Sequence, residues 1–135
     1  MKSICFTGHR KISEDTKTLS QKLYKKLEKA INDGVTDFYA GGAIGWDTLA
    51  ALTVIELRKN YPYIKLHLVL PCPPNEQSRL WSDEQRRVFF DILKTADYCF
   101  CYYNPNEYKS GTGQTVRMMR KKGIGIINFW NPISD

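Results

Sequence analysis

A single α/β domain over residues 1–135, built as a Rossmann-like three-layer sandwich with a mostly parallel five-stranded sheet, is the fold this chain predicts. Three observations carry that expectation. Short apolar runs alternate with helical patterns in the order β-α-β-α-β-α-β-α-β, and a parallel crossover needs a helix between its strands. The runs are apolar on both faces, as strands covered by helices on both sides are. Glycines recur just after the strands, at the sheet edge where folds of this kind take their ligands.

Lys2 to Thr7 reads as a buried first strand halted by Gly8-His9-Arg10. Ser13 is the expected N-cap of the first helix, with Glu14 and Asp15 in its first turn; Leu19, Leu23, Leu27 and Ile31 then recur at helical spacing, and Asn32-Asp33-Gly34 stops it. Val35 to Ala40 is the second strand. It feeds the stretch Gly41-Gly42-Ala43-Ile44-Gly45-Trp46-Asp47 and a helix from near Thr48, whose buried face is Ala50, Val54, Leu57 and Tyr61 and which Pro62 ends. Ile64 to Leu70 is a third strand, closed by the stiff Pro71-Cys72-Pro73-Pro74 loop. Ser82 and Gln85 fit a capping box for a third helix running to Ala96. Tyr98 to Tyr103 is the fourth strand; a polar loop, Asn104 to Ser110, leads through Gly111-Thr112-Gly113 into a last helix, and Ile124 to Phe129 is the last strand.

Composition narrows the function classes. A chain of 135 residues buries one core, and 42% hydrophobic with 25% charged residues is the balance of a folded globular domain. Cys5, Cys72, Cys99 and Cys101 lack zinc-site spacing, and the N-terminus lacks a secretory pattern, so reduced thiols, a cytoplasmic location and no metal site are expected. The longest apolar runs fall far short of the ~20 residues of a spanning helix, so no membrane partner is expected. The net charge of +6 raises nucleic acid as a partner. Eight of the twenty cations, however, fall toward helix C-termini (Lys25, Lys26, Lys29, Arg58, Lys59, Arg120, Lys121, Lys122), on the opposite edge of the sheet, where they complement the helix dipole. Only His9, Arg10, Lys11, Arg79 and Lys109 fall at the glycine-loop edge, a set that suits one small anion better than a duplex.

Three stretches on that edge form the candidate site. Gly41 to Asp47 carries a strand into a helix, so backbone N–H groups and a helix N-terminus face one place; its spacing matches neither G-x-G-x-x-G nor the P-loop. Asp47 is placed to accept from a ribose hydroxyl or to cap the helix, and Trp46 to stack on a base or to pack. Ser110-Gly111-Thr112-Gly113-Gln114-Thr115 offers hydroxyls and N–H groups at another helix start. Gly8-His9-Arg10 adds a guanidinium that can clamp a phosphate and an imidazole, a residue type more often structural than catalytic.

These residues resemble a family. Thr7-Gly8-His9-Arg10, the Gly41 to Asp47 loop followed by Ala50-Ala51, and Ser110 to Thr115 resemble the YpsA-like branch of the SLOG superfamily. The resemblance implies a Rossmann-like fold shared with the DNA-processing DprA/Smf proteins and with the LOG phosphoribohydrolases that act on cytokinin nucleotides. Against the LOG loop P-G-G-x-G-T-x-x-E, Ser110 and Gly111 stand at the paired glycines, Gln114 at the threonine and Arg117 at the catalytic glutamate. The stretch between Ala96 and Tyr108 is too short for the extra strand and helix that YpsA-like chains carry, which implies a shortened pocket wall.

The expected function is therefore binding or sensing of a nucleotide or nucleotide derivative at the C-terminal edge of the sheet. Gly42, Gly45, Gly111, Thr112 and Gly113 are expected to hold phosphate, Arg10 to neutralise it and Asp47 to meet the ribose, with Gly8, His9, Gly41 and Ser110 completing a three-loop pocket. No cofactor is expected beyond the nucleotide-like ligand. The alternatives are a LOG-like nucleotide N-glycoside hydrolase with Asp47 as its catalytic carboxylate, and DprA-like single-stranded DNA binding. A homo-oligomer stays open, with Trp81 and Trp130 as surface or core residues.

Overall fold

The computed structural model describes residues 2–41, 45–69, 95–107 and 109–131. Within them lie strands β1 (Lys2–Gly8), β2 (Val35–Gly41), β3 (Lys65–Val69), β4 (Tyr98–Tyr102) and β5 (Gly125–Asn128), helices α1 (Thr16–Asn32), α2 (Trp46–Arg58) and α3 (Gly111–Lys121), and a 3-10 turn at Pro105–Glu107. The proline loop from Pro71, Arg79, Cys72 and the helix expected from Ser82 lie outside the described residues. Ala96, expected to end that helix, is instead buried in the turn just before β4.

All strand pairs are parallel, in the order β3-β2-β1-β4-β5. The first three strands step one way from β1, and β4 and β5 step the other, so the order reverses between β1 and β4. A reversal of this kind opens a crevice at the carboxyl ends of the two strands, because the loops leaving them go to opposite sides of the sheet. Register aligns Cys5 with Cys99 and Gly8 with Tyr102, so β1 and β4 end level with one another.

Alternation along the strands makes the three layers. Ile4, Phe6, Phe38, Ala40, Phe100 and Tyr102 face α1 and α2 and form one buried cluster with Leu19, Leu23, Leu27, Ile31, Ala50, Val54 and Leu57. Cys5, Cys99, Cys101 and Tyr103 face the other way and pack with Val116 and Met119 of α3. Cys5, Cys99 and Cys101 are free and buried. The hydrogen bond with Cys5 and burial raise the Cys99 thiol, and burial pushes Cys101 up to about 12, which keeps both protonated and unreactive. The outer strands are covered less than the inner ones: two of five residues of β3 and three of four of β5 are exposed.

Two helix starts differ from the sequence expectation. Asp15, not Ser13, caps α1: its carboxylate accepts from the Thr18 N–H at 3.2 Å and the Thr18 hydroxyl at 2.7 Å. Ser13 and Glu14 are drawn instead to the Tyr102 hydroxyl, at 3.2 Å and 3.3 Å. Helix α2 begins at Trp46, earlier than Thr48, with Gly45 as its cap residue and Asp47 inside its first turn.

One polar side chain, at the end of β5, extends its pairing with β4 past the end of that strand. The Asn128 amide accepts from the Tyr103 N–H at 3.1 Å, donates to the Tyr103 carbonyl at 2.8 Å and accepts from the Trp130 N–H at 3.0 Å. It replaces a strand neighbour that Tyr103 would otherwise lack. Asn128→Ala is expected to cost about 1–2 kcal/mol, the range for stranding partly buried backbone groups, read as a lower urea midpoint at unchanged m-value.

Candidate functional site

The loop after β1 is held by its backbone. His9 donates its N–H to the Tyr102 carbonyl at 3.1 Å and accepts at its own carbonyl from the Trp46 N–H at 3.2 Å, so the loop is tied to both β4 and the start of α2. Gly8 is required by packing: a Cβ there would stand 2.5 Å from the Trp46 indole. The His9 ring reaches the opposite loop, with Nε2 at 2.9 Å from the Asn104 N and at 3.1 Å from a Glu107 carboxylate oxygen. These two contacts exclude one another. An unprotonated Nε2 accepts from Asn104, and a protonated one donates to Glu107. Burial pushes the His9 pKa below its usual value while Glu107 pulls it up, so near neutrality the ring is uncharged, and it is the tautomer protonated on Nδ1 that makes the Asn104 bond. His9 is thus a latch between two loops.

The loop after β4 prepares a helix N-terminus. The Ser110 hydroxyl donates to the Glu107 carbonyl at 2.7 Å and accepts from the Gly113 N–H at 3.0 Å, capping α3. The first helical bond runs from the Gln114 N–H to the Ser110 carbonyl, so the N–H groups of Gly111 and Thr112 precede the helical ladder at the positive end of the dipole. Thr112 and Gly113 are buried; the Thr115 hydroxyl is turned onto the Gly111 carbonyl at 3.0 Å.

Between these loops, at the β1/β4 reversal, lies a cavity of about 750 Å³. The first loop contributes His9, Arg10, Lys11 and Ser13; the end of β4 contributes Tyr102 and the second loop Asn104, Asn106, Glu107, Lys109 and Ser110; Trp130, just past β5, completes the lining. Arg10, Lys11 and Lys109 outnumber the one lining carboxylate, Glu107, so the cavity attracts anions.

The structure therefore brings together only part of the expected site. His9, Arg10 and Ser110 line the cavity, as do Lys11 and Lys109; Gly8, Gly41, Gly45, Asp47, Gly111, Thr112 and Gly113 are not in its lining, and Gly42 lies outside the described residues. The described lining comes from two loops and Trp130, not three loops. Gly45 has φ of +88°, and a Cβ on it would run into the Arg10 backbone. Its role is to let the first loop seat closely against the start of α2. Trp46 packs rather than stacking on a ligand: it is fully buried, donates Nε1–H to the Phe100 carbonyl at 3.1 Å, and lies 5.7 Å from the Tyr102 ring. Asn104, Asn106, Glu107 and Tyr102 were missed. Their signal was the polar run between the fourth strand and the last helix, which reads as a connection until the reversal in strand order places it beside Arg10.

Asp47 is the anomaly of this edge. It is only 6% exposed, one of its carboxylate oxygens has no hydrogen-bond partner among the described residues, and burial raises its pKa to about 7.

The fold and the cavity define a class: a parallel Rossmann-type domain with a basic pocket at its strand-order reversal. Comparison with known proteins narrows it. The YpsA model, described as the YspA SLOG family, matches residues 4–118, and the chain belongs to that family. It is similar to the UPF0398 protein of Bacillus pumilus, 26% identical over all of this chain and 76% of that protein. It is also similar to a UPF0398 protein of Halalkalibacterium halodurans, 32% identical over 67% of this chain and 45% of that one. A third relative is the SPbeta prophage-derived protein YoqJ of Bacillus subtilis, 32% identical over 65% of this chain and 53% of that protein. The chain thus spans three quarters of the first and about half of the others. Among the described residues no helix is long and apolar enough to cross a membrane.

Two substitutions test these assignments. Gly45→Ala is expected to lower stability by about 2 kcal/mol or more, through a left-handed φ and the collision with Arg10, whereas Gly111→Ala, where a Cβ meets nothing within 4 Å, is expected to stay within about 1 kcal/mol of the parent. Paired urea titrations read both.

For Asp47 the sign follows from linkage. Between pH 4 and 7 the unfolded carboxyl ionises while the folded one keeps its proton, so stability falls as pH rises through that window and is level above it. Asp47→Asn removes this slope. Relative to the parent, the variant is expected to gain on the order of 4 kcal/mol between pH 4 and 7.5 in denaturant melts, from about three units at 1.36 kcal/mol each.

Proposed function

We propose that the chain binds a small phosphorylated ligand of the nucleotide class in the cavity at the ends of β1 and β4, and senses or carries it rather than transforming it. The observation that supports this most is the convergence of Arg10 and Lys11 from one loop with Lys109 from the other around a single open cavity of about 750 Å³. Arginine offers a phosphate two parallel N–H donors, and lysine adds a point charge. The N–H groups that open α3, next to the lining residue Ser110, supply the positive end of a helix dipole. Membership of the SLOG family supports a nucleotide over other phosphorylated ligands.

Two observations favour binding over N-glycoside cleavage. Asp47, the carboxylate that such a reaction would need near the ribose, is not among the residues lining the cavity, and Arg117 on α3 replaces the glutamate of the LOG loop. Single-stranded DNA is disfavoured by the position of the charge: Lys25, Lys26, Lys29, Arg58, Lys59, Arg120, Lys121 and Lys122 lie along the helices and near their C-terminal ends, whereas Arg10 follows the carboxyl end of β1.

Isothermal titration calorimetry of the folded chain against nucleoside mono- and diphosphates, NAD derivatives and cyclic nucleotides is the test. At least one is expected to bind, with the affinity reduced about tenfold to a hundredfold by Arg10→Ala, the range for loss of a charge-assisted hydrogen-bond pair. No binding by any of them would reject the proposal.

A further inference from the structure

We propose that Trp130 is the platform on which the base of the nucleotide stacks, and that this stacking supplies the preference for a nucleotide over the corresponding sugar phosphate. The inference rests on the phosphate reading above and extends it to the other end of the ligand.

Two of the residues lining the cavity carry large aromatic rings, Tyr102 and Trp130, and they differ in availability. Tyr102 is 1% exposed, its ring lies 5.7 Å from Trp46, and its hydroxyl is bonded to Ser13 and Glu14. Trp130 is only half-buried. Its side chain packs against the main core cluster, and the backbone around it is fixed. Phe129 donates its N–H to the Cys101 carbonyl at 2.8 Å and drives its ring between Trp46 and Phe100, at 5.3 Å and 5.4 Å. The Trp130 N–H is fixed on Asn128 at 3.0 Å, and the Asn131 N–H on Glu14 at 2.8 Å. An aromatic side chain on a backbone anchored at three successive residues loses little freedom on binding, and a partly open indole face is the surface on which bases stack.

The rest of the cavity agrees with a base. Asn106 brings an amide donor and acceptor, the groups that read base edges, to the same space that holds the three cations. A bare phosphate would need neither an amide nor an indole, and would leave most of 750 Å³ unfilled. The family match ends at residue 118, so Trp130 stands in the part of this chain beyond it.

Calorimetry of the full chain, at one fixed salt concentration, with ribose 5-phosphate and the four common nucleoside 5′-monophosphates tests this. At least one monophosphate is expected to bind roughly tenfold or more tighter than ribose 5-phosphate. Trp130→Leu is expected to erase that preference while leaving ribose 5-phosphate affinity in place, and Trp130→Phe to keep most of it. A readout independent of the leucine variant is indole emission: the tight nucleotide is expected to quench it in the parent and not in Trp130→Phe. Equal affinity for ribose 5-phosphate and every monophosphate, or a preference undiminished in Trp130→Leu, overturns the base platform alone. Failure of all five phosphates to bind overturns the platform, and failure of the diphosphates, NAD derivatives and cyclic nucleotides as well overturns the phosphate reading with it.

Discussion

The indole of Trp46 holds the functional edge of this domain together. It lies where a side chain on Gly8 would have to be, donates to the Phe100 carbonyl, and packs against Tyr102 and Phe129. Through its backbone N–H it also holds the His9 carbonyl. One residue thus joins the end of β1, the middle of β4, the segment after β5 and the first turn of α2. Burying a tryptophan completely removes about 150–250 Å² from water, roughly 4–6 kcal/mol as an upper estimate. That is a large share of a small domain's net stability.

What this anchor organises is a pair of loops on either side of the strand-order reversal. The first is fixed by backbone bonds and the second largely by the His9 ring and the short side chains of Asn104 and Ser110, and the longer side chains of Arg10, Lys11 and Lys109 stand on the cavity wall. The glycines are used for close approach between chain segments. Gly8 admits Trp46, and Gly45 admits the Arg10 backbone. The positive potential of this edge then comes from side-chain cations and from the start of α3, where Ser110 satisfies one orphan N–H and the dipole acts through the others.

His9 gives the two loops a shared proton-dependent contact. Its neutral ring accepts the Asn104 N–H, and protonation exchanges that bond for an ion pair with Glu107 three residues further on, inside the same cavity. Because burial lowers the His9 pKa, the folded state resists the charged ring, and stability falls as pH drops below the ordinary histidine value of about 6.5. The exchange of the loop contact and the loss of stability therefore occur under the same conditions.

The layered α/β plan was legible in the sequence because strand and helix have different apolar periods, and β1, α1, β2 and α3 announce those periods over enough residues to read. Arg10 and the Ser110 to Thr115 helix start were legible for a similar reason: charge and capping are local. Helix ends were less so, since Ser13 and Asp15 are both good caps and only the pull of Tyr102 on Ser13 and Glu14 decides between them. The role of a glycine was not legible at all; positive φ at Gly45 and contact at Gly8 look alike in one dimension, and each is fixed by a residue distant in sequence. By itself, then, the sequence determined the class of fold and the edge on which the site sits. The strand order that sets His9 beside Asn104, sends Asp47 inward and brings Trp130 to the cavity was decided by the tertiary structure, because each of those contacts depends on which strands become neighbours.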